Sequence, residues 1–597
     1  MSFKQIIDNL SAVLGTGLFE VGSTRVTLGT LLMALLVVAS TFGFSSLAQR
    51  GVRRGMRRLR VPSISAEAIM RFFSGTPYVL GLSLLAAACT EASGAPAAES
   101  IEVVEVQLPQ GVSIPSQQNS TGFTADGSRL FTTATIEGIE GRHVATLARD
   151  GSDFQCLTCA DLASPTLDLR QPQMATDGLR FAARSGSGDQ RHAIIECTPS
   201  VLDCQTATSV AVEIPTGPVT LLRNAQMRIS PDGEHVLFSH IRQDGLLVPV
   251  FGGLVRETGP DRYTVVNPRV LAGFRPTFTG PSDALELAQG NWGEGKGFAD
   301  GGASVRYYTT IDSFNYDSVK LDLATGQITR LTSDPEYDED VDISADGEWV
   351  VTASYRNYER MSVFSLVPRP AIVDPPLRGP IALLRNQEER RFFDLWLLPF
   401  DRADEDTDIA RQVLDSSEMN DLNFNTRGQG RWSEDGTEFA YVEEDARDLG
   451  TARLKLATFT SRAPVTPLPI VPSPEPTWAA PLSEALSPSE STTGTLPGPV
   501  SGRADLVFEM ELAPLSATVD IQVEYVDYSA DGCSFLNGTE SAVVDGLDYT
   551  WTADLEVTGC HQGSLLADVQ GVAFPASATG TIVTEYDGAS REGLPEQ

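Results

Sequence analysis

The sequence predicts a mainly β chain: a six-bladed β-propeller, a small C-terminal β-sandwich, and membrane or signal helices at the N-terminus. Three observations carry this. An Asp-Gly turn followed by an alternating apolar strand recurs six times at the spacing of propeller blades. A last stretch of about 90 residues alternates apolar and polar positions, as half-buried strands do. Two uncharged apolar stretches precede the first repeat.

The charge is divided in the same way. The 597 residues hold 44 Lys and Arg against 79 Asp and Glu, a formal charge of -35. Residues 1–88 hold nine bases and three acids, so a short basic head precedes a long acidic body. An acidic body argues against nucleic acid as a partner, because phosphate affinity needs a basic surface. A basic apolar head ahead of a soluble body reads as a membrane or export segment.

Residues 1–69 are predicted to form a transmembrane helix followed by a basic segment. Val26 to Gln49 is uncharged over 24 residues, long enough to cross a bilayer. Arg50, Arg53, Arg54, Arg57, Arg58 and Arg60 follow, and the positive-inside tendency holds them in the cytoplasm. The stretch VTLGTLLMALLVVASTFGFSSLAQRGVRRGMRRLR resembles the first membrane helix of small mechanosensitive channels. The other channel helices and the pore have no counterpart, so no channel activity is carried over. Residues 70–89, MRFFSGTPYVLGLSLLAAAC, resemble a bacterial lipoprotein signal, which implies Cys89 as the lipid-accepting residue. Met1 and Met70 are both candidate starts. Thr90 after the cysteine, rather than Asp, favours the outer membrane. An ordinary cleaved signal or a second membrane helix is the plainer reading.

Residues 101–462 are predicted to form the propeller. The turns fall at Asp126, Asp177, Asp232, Asp300, Asp346 and Asp435. Asp-Gly between alternating runs is a strong hairpin signal. The intervals are 51, 55, 68, 46 and 89 residues, so the 68- and 89-residue ones contain insertions. The run IEVVEVQLP at 101–109 is a candidate strand to close the ring against the last blade. RISPDGEHVLFSH, and the strand–turn–strand of DSVKLDLATGQITRLTSDPEYDEDVDISADGEWVVTAS, resemble the repeats of TolB-like propellers. That resemblance implies protein partners at the bacterial envelope.

Residues 463–500 contain ten prolines and no base, and read as an extended spacer that belongs to neither neighbouring core. Trp478 is its candidate for docking on a neighbour. Residues 501–597 are predicted to be the sandwich. In ATVDIQVEYVDY, Val519, Ile521, Val523 and Tyr525 alternate with Asp520, Gln522 and Glu524.

Cys89 aside, six cysteines remain, an even set that reads as disulfides outside the cytoplasm. Cys533 and Cys560 pair within the terminal domain. Cys156, Cys159, Cys197 and Cys204 allow three pairings, and the local pairs Cys156–Cys159 and Cys197–Cys204 are favoured because each sits within one blade. A zinc site on those four thiolates and a redox pair at Cys156 and Cys159 are the rivals.

No nucleophile elbow, P-loop or dinucleotide fingerprint is found, so no catalytic residue and no cofactor is assigned. His143, His192, His235, His240 and His561 are the five histidines, and His235 and His240 fall on opposite faces of one strand. Asp338, Asp340 and Asp342 alternate within DPEYDEDVD and are weak calcium candidates, against a solvated acidic loop. The second acidic run, DRADEDTD, belongs to the insertion in the longest interval. The expected role is binding or scaffolding by an exported, membrane-anchored protein, with an envelope protein or a glycan as ligand. A propeller lyase or hydrolase using His192 or His240 on a metal, and a membrane sensor using the first helix, are the alternatives.

Overall fold

The computed structural model describes residues 17–21, 24–27 and 100–595, except 117–119, 161–167, 186–190, 218–219, 224–226, 243–246, 258, 260, 273–277, 280–284, 288–291, 357, 359, 386–392, 401–409, 414–423, 427–428, 446, 449, 485–488, 514–515 and 574–576. Two compact units result, Met1–Glu99 and Ser100–Gln597. In the first, strand Gly17–Val21 pairs antiparallel with Thr24–Thr27. Val26 and Thr27 are thus in a hairpin. The rest of the predicted membrane span, the lipoprotein segment with Cys89, and the run 401–408 lie outside the described residues. Among the described residues no helix is long and apolar enough to cross a membrane.

The second unit is a six-bladed propeller carrying a terminal sheet. The inner strands include Thr121–Phe123, Leu169–Met174, Arg228–Ile229, Glu294–Ala299, Asp338–Ile343 and Arg431–Trp432. They open blades 1 to 6 in that order, and each leads into an Asp-Gly turn. Strand Ile101–Glu105 pairs antiparallel with Ala452–Phe459 and completes blade 6, so the start of the unit closes the ring. Blades 2 and 3 are also joined, through a parallel pairing of Cys204–Glu213 with Arg262–Val270.

Five of the turns share one chemistry. In blade 3, Gly233 N donates to Ser230 O at 2.9 Å and Glu234 N to Asp232 Oδ1 at 3.0 Å. Gly127, Gly178, Gly233, Gly347 and Gly436 have φ of 66° to 79°, which only glycine adopts without strain. The turn aspartate stays in ordinary backbone and acts through its carboxylate. At Asp300 the turn becomes a short 3₁₀ segment, Asp300–Gly302, with Asp300 itself at φ 52°.

Between the second and third strands of blade 5 the chain makes a helical excursion that periodicity did not signal. Helix α1 spans Ser362–Ser365 and helix α2 spans Asp374–Arg385. DPPLRGPIALLR carries a helix start, an acid followed by prolines in the first turn. Glu336 accepts from Arg360 N, Met361 N and Ser362 N at 2.9, 2.8 and 3.0 Å and so caps α1.

The terminal region is one eight-stranded antiparallel meander, Ser489–Pro497 through Ala589–Glu592, rather than the two layers of the predicted sandwich. Its apolar face needs no second sheet because the excursion covers it. Trp551 packs on Phe314 and Phe364, with ring centroids 5.0 and 5.8 Å away. Arg369, fully buried, bonds both oxygens of buried Glu540 at 3.0 and 3.1 Å, and Trp551 Nε1 donates to the same carboxylate at 3.0 Å.

The proline-rich segment is extended as expected, but it does not span two separate cores. It crosses the turns of four blades in reverse order. Val465 N bonds Asp435 O (2.9 Å), Leu468 N bonds Ala345 O (2.8 Å), Val471 N bonds Gly301 O (3.0 Å), and Ser473 N bonds Asp232 Oδ2 (2.7 Å). Trp478 then lies against Gly326 and donates to Leu323 O at 2.9 Å. Beyond it, residues 489–497 already belong to the terminal sheet.

Candidate binding site at the propeller axis

Inner strands bring one residue per blade to the axis. Counting back four positions from each turn aspartate gives Gly122, Gln173, Arg228, Lys296, Asp342 and Arg431. The contacts join them into a ring. Gln173 accepts from Ile229 N at 2.9 Å. Arg228 Nε and Arg431 Nη2 both donate to Lys296 O at 3.4 Å. Trp432 N donates to Asp342 Oδ2 at 3.0 Å, and Arg431 lies 4.0 Å from Asp342. Gly122 faces Arg431, where any Cβ would lie 3.0 Å from its side chain.

Charge is distributed unevenly along the axis. In the deeper layer Lys296 Nζ meets Glu294, Glu339 and Asp340 at 3.1, 2.8 and 2.8 Å. Burial alone would lower this lysine, but the three carboxylates hold it well above its ordinary range. Burial pushes Glu294 up in turn. Nearer the turns Arg306 pairs with Asp342, and Arg431 lies 4.0 Å from it. Asp340 is a charge neighbour of Arg228, Arg306 and Arg431 as well, and Glu294 of Arg228. Arg228 is fully buried and bonds only the neutral acceptors Gln429 Oε1 and Lys296 O; among the described residues it has no ion pair. Burial, then the neighbouring Arg431 guanidinium, pulls Arg228 down to about 9, still protonated at neutral pH. Burial and the other two arginines pull Arg306 well below its ordinary value. Among the described residues, Arg228 Nη1 and Arg306 Nε find no acceptor.

A cavity of about 240 Å³ opens beside Arg306, Arg431 and Glu434, on the face that bears the Asp-Gly turns. Arg306 and Arg431 reach it, between walls that include Phe123, Phe298 and Trp432. The far end of the axis is filled. Trp292, Tyr308, Tyr316 and Tyr337 pack edge to face or tilted there, and Arg378 of α2 lies over Trp292 and Tyr308.

The predicted site residues fare differently. Asp338, Asp340 and Asp342 do not share a face, because a bulge places Asp340 at φ 53°. Each is taken by a cation: Asp338 by Arg356 (3.1 Å), Asp340 by Lys296, and Asp342 by Arg306. Among the described residues these three carboxylates do not form one oxygen cluster. Cys156 is bonded to Cys159, Cys197 to Cys204, and Cys533 to Cys560. Among the described residues the one group with metal-ligand spacing is His143 with Cys156 and Cys159. Its two sulfurs are joined to each other, and His143 is held by Thr158 Oγ1 and Glu140 O, both at 3.1 Å. His192 and His240 lie on strands of blades 2 and 3, and the one group with metal-ligand spacing among the described residues does not include them. Asp126, Asp177, Asp232, Asp300, Asp346 and Asp435 are structural turn residues. The axial ring went unread, although the register of the repeats already aligns it.

No family model matches the chain. No curated protein sequence matches it. Among solved structures, a TolB from Agrobacterium tumefaciens is similar at 17% identity, covering 51% of this chain and 80% of its own, with a TM-score of 0.31. An oligogalacturonate lyase from Vibrio parahaemolyticus is similar at 11% identity over 60% of this chain and 96% of its own, TM-score 0.33. The propeller domain of the trilobed protease from Pyrococcus furiosus is similar at 9% identity over 70% and 98%, TM-score 0.26. The propeller is established by the chain's own sheets.

Proposed function

We propose that this chain is an exported, membrane-anchored propeller that acts as a binding or scaffold protein in the bacterial cell envelope. Its site is the axial mouth on the Asp-Gly face. The observation that carries the reading is the asymmetry of the axis: one end is filled by aromatic rings and α2, while the other opens as a cavity floored by arginines. Propellers commonly use the loops around such a channel as an interaction surface. Anchoring through Cys89 and an envelope protein or glycan as ligand complete the reading.

A photo-crosslinking residue at exposed Thr176, beside the mouth, tests it in cells. The expected result is one discrete adduct there and none from exposed Gln205 on the outer strand of blade 2. Equal labelling at both positions would remove the axial site. Cys89→Ala should abolish labelling by a palmitate analogue; an unlabelled wild type would remove the lipid anchor.

A further inference from the structure

We propose that a second cleft, away from the axial mouth, binds an organic cation. It has a volume of about 460 Å³, within the range of small-molecule sites, and lies where blade 4, the helical excursion and the terminal sheet meet. Ile311 and Asp312 enter it from the end of strand Ser304–Thr310, which begins beside the Asp300 turn. The cleft therefore opens on the face opposite the Asp-Gly turns. Its walls are already fastened to one another. Ser313 N donates to Arg369 O at 2.8 Å and Leu285 N to Thr495 O at 2.7 Å, tying the blade to the excursion and to the sheet. Pro368, Pro370, Pro497 and Pro499 stiffen the lining further. A site shaped in advance gives up little freedom on binding.

Two aromatic rings and an excess of acid select the ligand. Tyr528 and Tyr586 line the cleft, and each is set by an aromatic neighbour, Tyr525 at 5.9 Å and His561 at 5.6 Å between centroids. Aromatic faces attract cations, quaternary ammonium groups above all. The described lining holds Glu286, Asp312 and Asp531 against one base, Arg369, which is fully buried and already held by Glu540. Asp312 shares Arg330 with the buried Asp317, at 3.0 and 2.6 Å, so one guanidinium serves two carboxylates. Asp531 bonds neutral donors, among them Cys533 N at 2.8 Å and Ser534 N at 2.7 Å. Among the described residues neither Asp531 nor Glu286 has an ion pair. The phenols register this field. Burial and then Asp312 push Tyr528 up to about 12, and burial, then Asp587, Asp531 and Asp312, do the same for Tyr586. An anion would add to the charge, whereas an ammonium group answers it. Leu285, Ile311 and Leu536 accommodate the apolar part of such a molecule. Two sources share this chemistry: a free small amine, or a lysine of a partner polypeptide.

Titration calorimetry on the full chain separates them. The probes are choline against its neutral isostere 3,3-dimethylbutan-1-ol, and an acetylated, amidated Gly-Phe-Lys-Phe-Gly peptide against the same peptide with norleucine in place of lysine. A cation that fits should bind about five-fold or more tightly than its isostere. Choline preferred alone identifies a free amine, the lysine peptide preferred alone identifies a partner's side chain, and preference in both pairs supports the cationic site with room for either. Tyr528→Leu should abolish the preference and Tyr528→Phe should retain it, because the ring face rather than the hydroxyl carries the attraction. Should Tyr528→Leu fail to fold, Asp312→Asn reads the same contrast: the preference should shrink while the neutral isostere binds as before. Equal binding or no binding within both pairs overturns the proposal, as does a folded Tyr528→Leu protein, or an Asp312→Asn protein, that keeps the full preference.

Discussion

Glu336 accepts three backbone N–H groups at the start of α1 while buried, and burial pushes its carboxyl up to about 7. Asp374, at the start of α2, is likewise pushed up to about 7 by burial. In an unfolded chain both titrate near ~4. The folded form therefore binds these protons more tightly, and their contribution is full below the unfolded values and lost as pH rises toward 7. Hydrogen exchange should show the amides of 360–366 better protected at about pH 5.5 than at about pH 8, after correction for intrinsic rates. Glu336→Gln should shrink the difference; unchanged protection across that range would refute the assignment. Arg369 and Glu540 make the opposite case, a buried pair whose hydrogen bonds are well matched. Glu540→Ala leaves Arg369 charged and buried, and should cost ~3–5 kcal/mol in urea unfolding. A loss below about 1 kcal/mol would mean that water reaches the arginine. These residues were hard to read in the chain. Lys296 and Asp342 stand in runs that look like ordinary turn approaches. Their role follows only when the six turns are aligned and each position is assigned to one side of an inner strand.

At the scale of elements, the turns and the disulfides were legible because each is made by neighbours in sequence. Cys156–Cys159 and Cys197–Cys204 close loops within a blade, and the Asp-Gly turns are built from six consecutive residues. Helices α1 and α2 were missed because their surroundings are strands and prolines break their apolar rhythm. Only the DPP at 374–376 marks a start. The terminal sheet was given two layers because alternation reveals one apolar face and not what covers it. The cover comes from residues more than 170 positions earlier, Phe364 and Arg369 among them. Cys533–Cys560 ties one end of the hairpin formed by Ser534–Asp545 and Asp548–Gly559. Replacing both cysteines by serine should lower stability by about 2–4 kcal/mol, read as an earlier urea midpoint. No change would show that strand pairing alone holds that end.

For the molecule as a whole, the spacer reading predicts that a chain ending near Thr466 stays soluble. The structure reverses this. Such a chain loses the crossing from Leu468 to Ser473 over blades 5, 4 and 3, exposes Phe314 and Phe364, and strands Arg369 without its carboxylate. It should aggregate or bind a hydrophobic dye, whereas residues 100–595 should melt in one calorimetric transition. Two resolved transitions, with a soluble truncated chain, would restore independent domains. A chain ending near Gln412 should fail as well, because it lacks the strands on which Ile101–Glu105 closes the ring.

That closing strand has a mechanical meaning. Ile101–Glu105 is both the entry of the chain into this unit and the outermost strand of blade 6. Any pull transmitted from residues before Ser100 therefore arrives first at the seam of the ring. Five residues zipped to Ala452–Phe459, with Thr460 N bonded to Ser100 O, carry that load before any other blade does. Tension on the N-terminal side would peel this strand first and open the circle between blades 6 and 1.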